Sequence, residues 1–139
     1  MSAGSSCTTW APIAIEAGAR MAVPRDTLVR RYVRHVNAQQ WSGVAALFCA
    51  EGVAWLDEAT PFVGEREIRR MYDEIVTARF LTYLVEPIHM LCDERVGLVY
   101  EVVDTTTLDG RADQHHRVEV FEFREGKIAS VRAFRQGSL

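Results

Sequence analysis

The sequence is short of cysteine, of basic charge and of long apolar runs, and each shortage removes a class of function. Only Cys7, Cys49 and Cys92 are present, an odd set without CxxC spacing, which fits a reducing, cytoplasmic setting better than a disulfide scaffold. Cys49, within an apolar pattern read as helical, and Cys92, just before a charged turn, read as packing residues. His35, His89, His115 and His116 form no HExxH and no zinc-type cluster with the cysteines, so neither metal nor other cofactor is expected. Sixteen basic residues against 19 acidic ones leave a net charge of -3, which lacks the electrostatic footprint of a nucleic-acid binder. No apolar run nears the roughly 20 residues of a bilayer span; the longest, around Val96 to Val103, is broken by Glu101. Residues 1–23 have neither a basic start nor a continuous apolar stretch, because Glu16 interrupts the only candidate. They read as a mobile N-terminal arm, with a start at Met21 as the alternative.

What is there suits one soluble domain over residues 24–139: of 139 residues, 48% are hydrophobic and 25% charged, enough for a single core without staples. From Pro24 the pattern turns helical. Asp26 is a candidate N-cap, and Leu28, Tyr32, Val33 and Val36 recur on one face of a helix over 25–38. Ser42 can cap a second short helix in which Val44, Leu47 and Phe48 share a face before Gly52 stops it. Val53 to Leu56 reads as a strand and Asp57 to Gly64 as turn; Ile68, Met71, Tyr72 and Ile75 then mark a third, amphipathic helix. Beyond residue 78 the period changes. Four β-rich runs, 82–91, 96–106, 112–123 and 127–134, are separated by Asp93-Glu94-Arg95, Asp109-Gly110 and Glu125-Gly126. Helices first and strands after predict an α+β fold, in which an antiparallel meander, edged by the strand near Trp55, curls around three helices and encloses an apolar cavity.

Three stretches carry a family resemblance: YVRHVNAQQWSGVAALFCAEGVAWLD (Tyr32 to Asp57), GEREIRRMY (Gly64 to Tyr72) and VEVFEFREGKIASVRAF (Val118 to Phe134). They resemble the nuclear transport factor 2-like superfamily, and within it ketosteroid isomerases and SnoaL-like polyketide cyclases, over about residues 25–135. The resemblance implies a cone-shaped, curved antiparallel sheet with the three N-terminal helices on its concave face. It also implies a cavity in which an Asp base faces an oxyanion hole of Tyr and carboxylic acid. Matched position by position, the family's donor Tyr falls on Tyr32, its supporting Tyr on Tyr72 and its protonated Asp on Glu119. The base position falls on Leu56, with Asp57 next to it; a one-residue bulge would turn Asp57 inward, and Glu58 is the backup in the same turn.

Alternation supports Glu119 independently, since His115, Arg117, Glu119, Phe121 and Phe123 share one strand face. Desolvation there would favour the neutral, proton-donating carboxyl. The other reading is an ionised Glu119 paired with Arg117 or Arg132. His89 and His115 are candidates for acid, base or substrate contact in the same cavity. Trp55, Tyr100 and Phe121 would form an aromatic wall for an apolar ligand, or simply core. The arginines of the helix faces read as solvated.

Three functions stay open on this sequence. One is a cofactor-free enzyme in which Asp57 moves a proton on a small hydrophobic carbonyl compound while Tyr32 and Glu119 hold the enolate oxygen. The second is an epoxide-opening cyclase or hydrolase, for which Tyr32, Tyr72, Glu119 and His89 could supply donors and base. The third is a binding module without catalysis. Val118 and Val120 give the outer sheet face an apolar character that predicts a homodimer joined sheet to sheet.

Overall fold

The computed structural model describes residues 24–55 and 60–135. The expected N-terminal arm, Asp57 and its neighbours Leu56 and Glu58 lie outside the described residues. Helix α1 (Arg25–Asn37) and the short α2 (Trp41–Ala46) lead into strands β1 (Phe48–Trp55) and β2 (Pro61–Val63). Then come α3 (Glu65–Met71), continued by a π-helical segment (Tyr72–Thr77), and strands β3 (Phe80–Cys92), β4 (Val96–Thr107), β5 (Ala112–Arg124) and β6 (Lys127–Arg135). The six strands form one sheet in the order β2-β1-β6-β5-β4-β3. The α+β meander expected from the period change is present, with one addition: β1 joins β6 in parallel, inside an otherwise antiparallel sheet.

Local chemistry explains most boundaries. The β5–β6 hairpin turns through Glu125 and Gly126, both at positive φ, the tight geometry that matches strand twist. At the β3–β4 turn the Asp93 carboxylate accepts from the backbone N–H groups of Arg95 and Val96 at 2.7 and 2.8 Å. Helix α1 buries Leu28, Val29, Tyr32, Val33 and Val36, a helical stripe, against the inner face of the sheet. Its last residue, Asn37, closes the outer edge of β3: the side chain donates to the Val85 carbonyl at 2.9 Å and accepts from the Val85 N–H at 2.8 Å.

Four expectations need correction. The cap position of α1 is Pro24, and Asp26 lies in the first turn, where its charge complements the helix dipole. Helix α2 has no side-chain cap from Ser42 and ends at Ala46. Phe48, Cys49 and Gly52 belong to β1, because pairing with β6 outweighs the local helical pattern. Gly52 is required there by packing, since a Cβ would lie 2.8 Å from the Phe48 ring. Finally, the stretch read as turn before Gly64 contains β2, which covers the edge of β1.

Candidate active site

Strand alternation sorts the sheet into two faces. On β4 the buried residues are Gly97, Val99, Glu101, Val103 and Thr105; on β5 the matching row runs Arg117, Glu119, Phe121 and Phe123. Both rows face the helices. Glu101 stands directly across from Arg117 and Val99 from Glu119, so the two glutamates are diagonal neighbours on adjacent strands. Glu101 is wholly buried and Glu119 nearly so.

Arg117 ties this interior together. Its Nε donates to Glu101 Oε2 at 2.5 Å, one terminal nitrogen donates to the Tyr83 hydroxyl at 2.8 Å, and the other lies 3.5 Å from Glu119 Oε2. Burial alone would lower the Arg117 pKa, but Tyr83, Glu119 and Glu101 together raise it, so the guanidinium stays charged. Two carboxylates around one cation would leave a net negative charge in the core, which a low-dielectric interior opposes. The Glu101 pKa is accordingly pushed up to about 9, first by burial and then by the charge of Glu119, with Arg117 opposing. Near neutral pH Glu101 therefore holds a proton. Glu101 Oε1 and Glu119 Oε1 are buried and have no other hydrogen-bond donor, and a hydrogen bond between the two carboxyls, one of them protonated, is among the causes that raise the Glu101 pKa.

The helices supply two further proton donors. Tyr32 projects from α1, and Tyr72 opens the π-helical segment after α3; their hydroxyls are hydrogen-bonded to each other. The Tyr32 ring meets Phe121 edge-on with centroids 5.2 Å apart, and Tyr72 stacks on Trp41 at 5.1 Å. Trp41 is itself pinned by its indole N–H, which donates to Thr77 Oγ1 at 2.7 Å. Both tyrosine pKa values are raised, for each first by burial and among the further causes by the charge of Glu119. Both phenols are thus protonated across the physiological range and within the electrostatic reach of Glu119.

Of the residues singled out from sequence, Tyr32, Tyr72, Glu119 and Phe121 come together in this interior. Three do not. Tyr100 alternates with the buried Val99 and Glu101 and points to the outer face, where it stacks between His89 at 6.3 Å and His116 at 5.5 Å. Trp55 alternates with the buried Ala54 and carries the Arg132 guanidinium 3.9 Å above its ring. Trp55, His89 and Tyr100 are therefore separated by the sheet from Glu119, and so is Arg132, which removes it as a partner for that carboxylate. His115 follows the inner row of β5 but lies beyond Arg117, at the open end of the sheet, with Nδ1 2.9 Å from Asp113.

Sequence reasoning noted Glu101 only as a break in an apolar run and gave Tyr83 no role. The available signal was phase, since Glu101 falls between Val99 and Val103 on the buried period of β4. Among the described residues no group of His, Cys, Asp and Glu is arranged to hold a metal ion, and no helix is long and apolar enough to cross a membrane.

This combination of curled sheet and polar interior defines a class. Residues 29–131 match the SnoaL-like domain, and the chain belongs to that family. Its fold is that of the nuclear transport factor 2-like and ketosteroid isomerase-like proteins. SalBIII, an epoxide hydrolase/cyclase-like enzyme of pyran ring formation in the polyether salinomycin, superposes with a TM-score of 0.71 at 22% identity, over 82% of this chain and 92% of that one. A nuclear transport factor 2-like protein of unknown function from Burkholderia pseudomallei gives 0.73 at 14% identity, over 80% and 89%. A Mycobacterium tuberculosis protein in complex with estradiol-17beta-hemisuccinate gives 0.67 at 14%, over 77% and 89%. At these identities the likeness is one of fold. No curated protein shows significant sequence similarity to the chain.

Proposed function

We propose that the protein is a cofactor-independent acid–base enzyme acting on a small, largely apolar, oxygen-bearing substrate, and that it opens an epoxide to close or hydrate a ring. The observation that carries this reading is the buried Glu101–Arg117–Glu119 array beside the hydrogen-bonded hydroxyls of Tyr32 and Tyr72, in which burial and the charge of Glu119 keep Glu101 protonated near neutral pH. Epoxide opening needs an acid and a base at once. The carboxylic acid gives its proton to the epoxide oxygen as the C–O bond breaks; a hydroxyl or water oxygen bonds to the carbon, and its proton passes to the carboxylate. The proton count of the pair is restored at the end. Tyr32 and Tyr72 add donors toward the developing alkoxide. The resemblance in fold to SalBIII agrees with this chemistry.

Steroid-type double-bond isomerisation is the second reading, favoured by Tyr32, Tyr72 and Glu119 at the positions of the oxyanion hole, and it assigns the base to Asp57. A third is ligand binding without turnover. For assembly, we propose a cytoplasmic homodimer joined through the outer sheet face. The deciding experiment offers a hydroxy-epoxide of polyketide type and, separately, 5-androstene-3,17-dione to wild type, Glu119→Gln, Glu101→Gln and Asp57→Asn. Epoxide turnover that falls about a hundredfold or more in both glutamate variants, and little in Asp57→Asn, supports the main reading. Turnover of the dione that depends on Asp57 transfers the assignment to isomerisation. Saturable binding without turnover of either compound leaves a binding module.

A further inference from the structure

At the open end of the sheet, where the β4–β5 hairpin meets the start of β3, lies a cleft of about 670 Å³, within the size range of small-molecule sites. Its cationic lining is Arg79, Arg111 and Arg135, with His115 on its floor and Phe80 on one wall. Opposing them are two carboxylates, of which Asp109 accepts from Thr107 and Asp113 holds both His115, at 2.9 Å, and Arg135, at 3.4 Å. Arg79 and Arg111 therefore remain as guanidinium groups that no side chain of the cleft engages through a hydrogen bond, although the charge of Arg111 acts on the Asp109 carboxylate and helps to lower its pKa. Their backbones are fixed: the Arg79 carbonyl accepts from the Leu108 N–H at 3.2 Å, and the Arg111 N–H donates to Thr107 Oγ1 at 3.0 Å.

Two residues that line the cleft, Phe80 and His115, stand next to the buried acid–base array. Phe80 packs edge-on against Tyr83 with centroids 5.5 Å apart, and the Tyr83 hydroxyl accepts from Arg117. His115 is two residues from Arg117 and four from Glu119 on one strand face, a span of roughly 13 Å. We propose that this cleft is an anion-binding subsite in which Arg79 and Arg111 receive a carboxylate of the substrate while Phe80 supports its apolar body. The substrate class is then an elongated organic acid, with its carboxylate at the open end of the sheet and its reacting oxygen further along β5. Three arginines against two aspartates leave one net positive charge among these five side chains, which suits a monoanionic carboxylate better than a phosphate dianion. Guanidinium forks bind carboxylates in a bidentate manner, which gives the subsite direction as well as charge.

The link to the substrate rests on the acid–base reading above, so the test reads binding separately from turnover. Fluorescence titration compares a naphthalene carboxylate with its methyl ester on wild type, on the double variant Arg79→Gln/Arg111→Gln and on Glu119→Gln. The expected result is saturable binding of the acid to wild type, at least tenfold weaker binding of the ester, and at least tenfold loss for the acid in the double variant alone. Both arginines are exposed, and the acid-to-ester ratio on wild type stands without any variant. Equal affinity for acid and ester, or unchanged affinity in the double variant, would overturn the subsite. So would displacement of the acid by inorganic phosphate more readily than by acetate. If the arginine dependence holds while Glu119→Gln keeps full turnover, the subsite survives and the acid–base reading falls; the reverse pattern sinks the subsite alone.

Discussion

The two faces of strands β4 and β5 invert the ordinary rule of burial. The inner face, covered by helices, holds Glu101, Glu119 and Arg117, whereas the outer face of the same sheet leaves Leu84 at 49%, Leu91 at 72% and Leu98 at 44% exposed. Fully buried acids are rare unless paired, and exposed leucines collected on one face signal an association surface. On the proposed function, the inside is polar where proton transfer would take place, and the outside is apolar where the proposed second copy would exclude water. The comparison teaches that one sheet can serve two purposes, provided strand alternation keeps them apart.

The strongest blow to the inner face is removal of Arg117, the cation that lies between its two buried glutamates. Arg117→Leu leaves two buried carboxyls without compensation, and breaking a buried pair on one side costs about 3 to 5 kcal/mol. Urea unfolding should show a loss of that size, partly recovered when Glu101→Gln is added, because the second change removes the orphaned charge. A loss below about 1 kcal/mol would mean that Arg117 does not hold the array together.

Next in size is the pH dependence. The folded-state pKa of Glu101 is raised to about 9, above the ordinary value of 4.5. Between these values the folded protein binds more protons than the unfolded chain, so this contribution is complete below about pH 4.5 and is lost as pH rises through about 9. Thermal midpoints should fall across that window in wild type, and Glu101→Gln should flatten the slope. A wild-type slope unchanged by the substitution would place the proton elsewhere.

How much of this was legible in the sequence follows from which forces act locally. Turns such as Glu125-Gly126, the stripe of α1 and the alternation of β5 are short-range patterns, and they located the meander, Tyr32 and Glu119. Gly52 and Phe48 misled because their local pattern is helical, while their strand exists only through pairing with β6. Residue type alone groups Trp55, His89 and Tyr100 with the cavity, whereas strand phase and cross-strand pairing assign them to the opposite face. Glu101 was visible in phase but had no partner until β5 brought Arg117 across from it.

A smaller effect is expected from the tyrosine pair. Tyr72→Phe keeps the ring on Trp41 and removes one hydroxyl, leaving Tyr32 without that partner. The net loss should be about 1 kcal/mol in urea unfolding. The inner-face comparison sharpens if turnover drops further than stability does, because the phenol would then act on substrate as well as on structure.

The smallest change in fold stability belongs to the outer face, and it isolates association from folding. Leu98 pairs across the strands with Leu91, and both side chains lie on the exposed side of β3 and β4. A charge at an exposed site such as Leu98→Lys should alter the protomer by no more than about 0.5 kcal/mol, since no buried contact is lost. A homodimer formed through this face would make the wild-type unfolding midpoint rise with protein concentration, by mass action. In Leu98→Lys that concentration dependence should vanish, and sedimentation should report a monomer at micromolar concentration. A wild type that is already monomeric there, with a midpoint independent of concentration, would break the assignment of the outer face to a second copy and leave its leucines without a purpose in assembly.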